Sequence, residues 1–318
     1  MKIVSPVLLG LSLAVVGSSF AAAQETQSPQ TQNPQMQNQQ MQSMKMQSMQ
    51  MQGPPKVLQI TREFIKPGKS GAIHDKSESN FVQAMAKAKW PTHYVAMNSL
   101  SGKSRALYIT GYASFDAWEK DNAAIDKNKA LSAELDKDSV TDGELLDGLD
   151  QVVLSYDEDL SYRPVPTLAH ARFMEITVIK IKPGHRKDFS DAVKMVIDAN
   201  KKAGTSAQWA VFELAYGGGD EYVFFSADKS MAEIDTGYAE DKQFHDALGD
   251  DGMKKLRELE QACVDSSDSE LFQINPRQSY PSEDWVKADP DFWTPKPAMA
   301  PAEKPAVKPL PAAKMPPR

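Results

Sequence analysis

Residues 62–75 read REFIKPGKSGAIHD, and residues 178–191 read VIKIKPGHRKDFSD. Ile65-Lys66-Pro67-Gly68 in the first returns as Ile181-Lys182-Pro183-Gly184 in the second, a shift of 116 residues. The match extends backwards without a gap: LQITREFIKPG from Leu58 lies over MEITVIKIKPG from Met174. Each run carries apolar side chains in near-alternation, with Leu58, Ile60 and Phe64 in one copy and Met174, Ile176 and Val178 in the other. That is the period of a half-buried strand. Proline then presets φ for a tight turn, and glycine accepts a positive φ at the next position. An amphipathic helix is expected after each turn; in the second copy Phe189, Val193, Val196 and Ile197 mark its apolar face.

The register persists downstream. HYVAMNSL from His93 corresponds to WAVFELAY from Trp209, and YITGYASFDAW from Tyr108 to FFSADKSMAEI from Phe224, all at the same shift. Ser114 and Ser230 become matched helix N-caps. LSYRP at 160–164 and QSYP at 278–281 close the copies, offset now by 118. A chance tetrapeptide would not keep strand, turn, helix, hairpin and helix in step, so the sequence indicates a duplication. Each copy reads β-α-β-β-α-β. The expected strands are 57–65, 92–99, 104–112 and 151–157, then 171–181, 207–215, 220–227 and 270–275. Hairpin turns are expected at Ser101-Gly102 and at the glycines 217–219. The helical stretch 115–149 should restart at Thr141-Asp142-Gly143 before ELLDGL, and the stretch 231–266 should break at GDDG.

This element order is that of the ferredoxin-like unit, whose helices cover one sheet face and leave the other to be buried. A second copy can bury it. The expected fold class is therefore α+β: tandem ferredoxin-like (βαββαβ) repeats, residues 56–165 and 166–283, forming an intrachain dimeric α/β barrel. Lys66-Pro67-Gly68 and Lys182-Pro183-Gly184, the latter with Phe189 on the following helix, resemble the dimeric α/β-barrel superfamily. The NIPSNAP-like and antibiotic-biosynthesis-monooxygenase-like members are the nearest in pattern, over about residues 57–281. The resemblance implies a cofactor-free oxygenase or a haem-handling role among the options, but the Asn, Trp and His of haem-degrading members do not map onto this chain.

The ends differ in composition. Residues 1–23 have the form of a secretory signal peptide: Lys2, the apolar VLLGLSLAVVG, then Ala21-Ala22-Ala23. An exported protein, periplasmic or extracellular, is expected. Residues 24–55 are expected to be a Gln/Met-rich disordered linker, and residues 284–318 a disordered tail rich in Pro, Ala and Lys. The tail offers a contact for an acidic surface or cell-envelope polymer, or for a higher oligomer. Between the ends the body is strongly acidic, within a chain of net charge −7, so a nucleic-acid partner is not expected. No segment has the length of a membrane span. One cysteine, Cys263, follows Met253, Leu256 and Leu259 at helical spacing and reads as a buried thiol.

Candidate chemistry is sparse. His93, Glu63 and Tyr108 could meet in a cleft for proton transfer, since an imidazole titrates near neutrality and a carboxylate orients it. The alternative is an edge histidine and a carboxylate at a solvated strand end. Gln59, Thr61 and Glu63 share a strand face, with Glu175 and Thr177 matching the first two. Trp209, Phe224, Glu213 and Glu175 are the candidate ligand-binding residues. His74, between polar neighbours in AIHDKSE, reads as a surface residue. His170, His185 and His245 share no ligand spacing. Met41, Met44, Met46, Met49 and Met51 have thioether spacings that would suit copper, though repeat-driven low complexity explains them as well. No other metal and no cofactor is expected. The function expected is the binding of a small apolar molecule in or beside the barrel. The alternatives are a cofactor-independent monooxygenase-like enzyme and an envelope-associated structural or interaction protein.

Overall fold

The computed structural model describes residues 53–294. The signal-like segment, nearly all of the Gln/Met linker with its methionines, and the tail from 295 lie outside the described residues. Eight strands close into an antiparallel barrel in the order β1-β3-β2-β8-β5-β7-β6-β4. They are β1 (Val57–Ile65), β2 (Tyr94–Ser99), β3 (Arg105–Tyr112), β4 (Leu146–Tyr162), β5 (Phe173–Ile181), β6 (Trp209–Tyr216), β7 (Glu221–Asp228) and β8 (Val264–Ile274). The helices are α1 (Ala72–Ala88), α2 (Phe115–Lys127), α3 (Lys129–Gly143), α4 (Arg186–Ala203), α5 (Met231–Ala239), α6 (Asp241–Cys263), α7 (Glu283–Ala288) and α8 (Pro290–Trp293). Among the described residues no helix is long and apolar enough to cross a membrane.

Both turns that opened the sequence form as expected: Gly68 has φ 79° and Gly184 φ 85°. Their lysines anchor the bend. Lys66 Nζ donates to Glu144 O at 2.9 Å, and Lys182 Nζ to Gln261 O at 2.6 Å, so each turn is tied to the helix-to-strand junction beside it. Ser114 accepts from Ala117 N at 3.1 Å as the N-cap of α2. Ser230 stands at the N-cap of α5 without such a bond.

Strand alternation divides β1 between two environments. Leu58 and Ile60 point into the barrel with Met97, Ile109, Leu154, Met174, Phe212 and Phe225. Gln59, Thr61 and Glu63 point outward, toward α1 and α3. Arg62, on the inward face, pairs with Asp150 at 2.6 Å, and Arg105 pairs with Glu270 nearby, so the apolar interior gives way to ion pairs at one end of the barrel.

Three boundaries depart from expectation. ELLDGL does not start a helix: the break falls at Asn128, α3 runs to Gly143, and Leu146 opens β4, which continues to Tyr162. β8 likewise begins at Val264 rather than 270. Both strands are long because they pair twice. β4 bonds β1 through its first part and β6 through its second, and β8 bonds β5 and then β2. These double pairings close the barrel, and local propensity does not announce them. The tail expected from 284 begins instead with α7 and α8, where buried Trp293 packs against the barrel and its Nε1 donates to Ala169 O at 2.8 Å.

Candidate functional site

Two cavities lie on opposite sides of the same strands. The first, about 340 Å³, occupies the open end of the barrel. Leu58, Met97, Ile109, Met174, Phe212 and Phe225 form its floor, and Val165, Leu168 and Trp285 stand over it. A few polar groups converge on this apolar space, among them His93, Gln208 and Asp121. The Asp121 carboxylate accepts from Trp90 Nε1 at 3.0 Å, Thr92 Oγ1 at 2.7 Å and the Tyr112 hydroxyl at 3.1 Å. Burial raises its pKa and the three donors lower it, burial prevailing. The Tyr280 ring lies 4.7 Å from the His93 ring.

The second cavity, about 490 Å³, lies between the outer face of β1 and β3 and the helices α1 and α3. Glu63, Glu78, Asp142, Tyr94 and Tyr108 line it. His74 sits within the same group, and its Nε2 is 3.1 Å from Glu63 Oε2 and 3.8 Å from Glu78 Oε1 and Asp142 Oδ1. All four residues are buried, with exposures of 7% for Glu63, 1% for His74, 3% for Glu78 and 2% for Asp142. Behind the imidazole, Gln278 Nε2 donates to Nδ1 at 3.1 Å and to Asp75 Oδ1 at 3.0 Å. With Nδ1 accepting, the neutral ring carries its proton on Nε2 and donates it to Glu63. Burial, with the neighbouring carboxylates, pushes Glu78 up to about 10. Glu63 is raised by burial, against the pull of His74. The Tyr108 phenol is raised by burial and by Glu78 and Glu63.

The placement of His74 corrects the sequence reading. It was expected at the surface because its neighbours are polar, but α1 turns its polar residues inward: His74, Ser77 and Glu78 are all buried. A polar stripe on a helix face looks solvated unless the opposite sheet is known to be polar too. Glu63 and Tyr108 line one cavity, whereas His93 does not join them. It precedes β2 and lines the barrel cavity on the other side of the sheet. The picture of Glu63 at a solvated strand end fails for the same reason, since α1 and α3 cover it.

Of the four candidate ligand-binding residues, Trp209 lines the barrel cavity. Phe224 faces α4 instead, 6.3 Å from Phe189 in an edge-on contact. Glu213 is an ion-pair partner of Arg186. Glu175 lies half-buried on β5, and burial raises its pKa. Cys263 is buried at the end of α6, as the helical spacing indicated. Sequence reasoning missed Glu78, Asp142 and Gln278. They come from separate elements and have no motif spacing; the one legible hint was that Glu78 follows His74 by one helical turn.

No family model matches the chain, and no curated protein does. Solved structures do resemble it. A Fusobacterium nucleatum protein provisionally called a monooxygenase is 14% identical, with 70% of this chain and 94% of that chain covered and a TM-score of 0.48. An anthrone oxidase-like protein is 12% identical, covering 72% and 95%, with a TM-score of 0.44. A mutant chlorite dismutase from Candidatus Nitrospira defluvii, in complex with cyanide, is 9% identical, covering 70% and 92%, with a TM-score of 0.42.

Proposed function

We propose that this chain is an exported binding protein that holds one small, largely apolar molecule in the open end of its barrel. A single observation carries the reading: a cavity of about 340 Å³ floored by apolar side chains, with few polar groups converging on it. Ligand pockets have that balance, in which apolar contact supplies affinity and a small number of polar groups fix orientation. His93, Gln208 and Asp121 are the groups placed to read a polar end of the ligand, and Trp209 and Trp285 provide flat walls.

We further propose that the barrel is built from two copies of one βαββαβ unit. The strand order β4-β1-β3-β2 in the first half is matched by β8-β5-β7-β6 in the second. Together with the repeated turn, this supports two tandem ferredoxin-like copies. Export rests on the form of residues 1–23.

A neutral dye that fluoresces in apolar surroundings tests the binding reading. Saturable binding at one dye per chain is expected, with energy transfer from Trp209 and Trp285. Ala210→Phe, which fills part of the cavity, should weaken binding by about tenfold or more, the size of one lost apolar contact of about 1.4 kcal/mol. Unsaturable binding, or equal binding by the filled variant, would count against the proposal.

A further inference from the structure

We propose that Glu63, His74, Glu78 and Asp142 form a site for one divalent first-row transition ion, of the Mn2+, Fe2+ or Zn2+ type. One candidate ligand atom from each residue lies within 4.8 Å of all the others. Metal–ligand bonds of about 2.0–2.2 Å put ligand atoms on opposite sides of an ion roughly 4.4 Å apart, so small side-chain shifts suffice.

The second observation is independent of that clustering. Glu78 Oε1 and Asp142 Oδ1 are buried and have no hydrogen-bond partner. Buried carboxylate oxygens are costly unless paired. Among the described residues no Lys or Arg ion pair reaches Glu63, Glu78 or Asp142; their one ionisable basic contact is His74. Three buried acids and one imidazole converge, and two of the acid oxygens are left without a donor.

The donor set selects the ion. Imidazole with carboxylates suits transition ions, whereas Ca2+ and Mg2+ favour all-oxygen shells. Gln278 supplies an orienting contact behind His74. A half-turn of its amide would present Oε1, which has no partner now, to a proton on Nδ1. Nε2 would then offer its lone pair to the ion, while Asp75 keeps the Asn275 amide at 2.8 Å. The cavity beside the cluster leaves room for a water or an oxygen-bearing ligand at an open coordination position.

The test uses the full chain, stripped with chelator and titrated with MnCl2 while free Mn2+ is followed by its EPR signal. One Mn2+ retained per chain and a raised melting temperature are expected. Glu78→Gln and Asp142→Asn should each weaken retention at least about tenfold, while Asp246→Asn, in an exposed ion pair with Lys242, should retain Mn2+ like the natural chain. No saturable uptake, or equal uptake by the Glu78→Gln/Asp142→Asn double variant, overturns the site. If those variants do not fold, pulsed EPR of the natural chain with Mn2+ decides: coupling to an imidazole nitrogen supports the site, and its absence overturns it. Dye binding in the barrel is a separate measurement and stands or falls separately.

Discussion

Under α4 and α6, the outer sheet face of the second half is covered by Phe189, Val193, Ile197, Val211, Tyr222 and Cys263. Under α1 and α3, the corresponding face of the first half holds Glu63, His74, Glu78 and Asp142 beside an open cavity. At the shift of 116, Glu63 stands where the second half has Ile179, Ser77 where it has Val193, and Tyr108 where it has Phe224. The second half is packed there with apolar side chains; in the first, an apolar cluster of Ala84, Trp90 and Leu131 forms toward the C-terminal end of α1, and the polar group lies at its N-terminal end. Each large apolar side chain buried gains about 1.5–3 kcal/mol, whereas each unpartnered buried polar group costs about 1–3 kcal/mol. The first half therefore gives up stability that the second shows the fold could have had, and a departure of that kind is expected where a site is kept.

The sharpest way to break the comparison is in the second half. Phe189 is buried between Tyr222, at 4.7 Å between ring centroids, and Phe224. Phe189→Ala should cost about 3–5 kcal/mol in denaturant unfolding, the usual range for emptying an aromatic site in a packed core. A loss below about 1 kcal/mol would mean that α4 is no better packed on its sheet than the polar end of α1, and the contrast would disappear. The converse change in the first half should have the opposite sign. With the chain stripped of metal, Glu78→Met should raise the unfolding free energy by about 1–2 kcal/mol, because it removes a buried carboxyl oxygen that nothing satisfies. Destabilisation by the same amount would show that Glu78 has partners in solution and that the first half is packed after all.

The same contrast governs what the sequence could reveal. The second half was legible because its helix follows the familiar rule: Phe189, Val193 and Ile197 recur at helical spacing and all are buried. The turn, both hairpins and the α2 cap were legible because Pro, Gly and Ser carry local backbone instructions. The first half was opaque where it matters most. His74, Ser77 and Glu78 face inward on α1, but polar residues at helical spacing have the same appearance on a solvated face. Asp142 and Gln278 arrive from the end of α3 and from beyond β8, separations that no single-sequence pattern connects. His93 was misplaced by a subtler route. It lies just outside β2, so strand alternation does not fix which side of the sheet its ring takes.

The second half is not wholly free of misfit charge, and Asp228 measures how much it tolerates. This residue ends β7, and its Oδ2 is buried with no hydrogen-bond partner. Burial, followed by repulsion from Glu175 and Glu233, raises its pKa to about 6 from an ordinary 3.8. A raised carboxyl pKa means that the folded state holds the proton more tightly than the unfolded one. The folded state is therefore favoured by this group below about pH 4, and that advantage is lost as the pH rises through about 6. Asp228→Asn, which cannot ionise, should match the natural chain at pH 4 and exceed its stability above pH 6. The full linkage of such a shift would be roughly 3 kcal/mol, but the group is half-exposed and solvent screening reduces this to about 1 kcal/mol. Thermal unfolding of both chains between pH 4 and 8 checks the sign. A gap that stays constant with pH would mean that the Asp228 carboxylate is solvated, leaving the first half as the part of the fold that carries unpartnered buried acid groups.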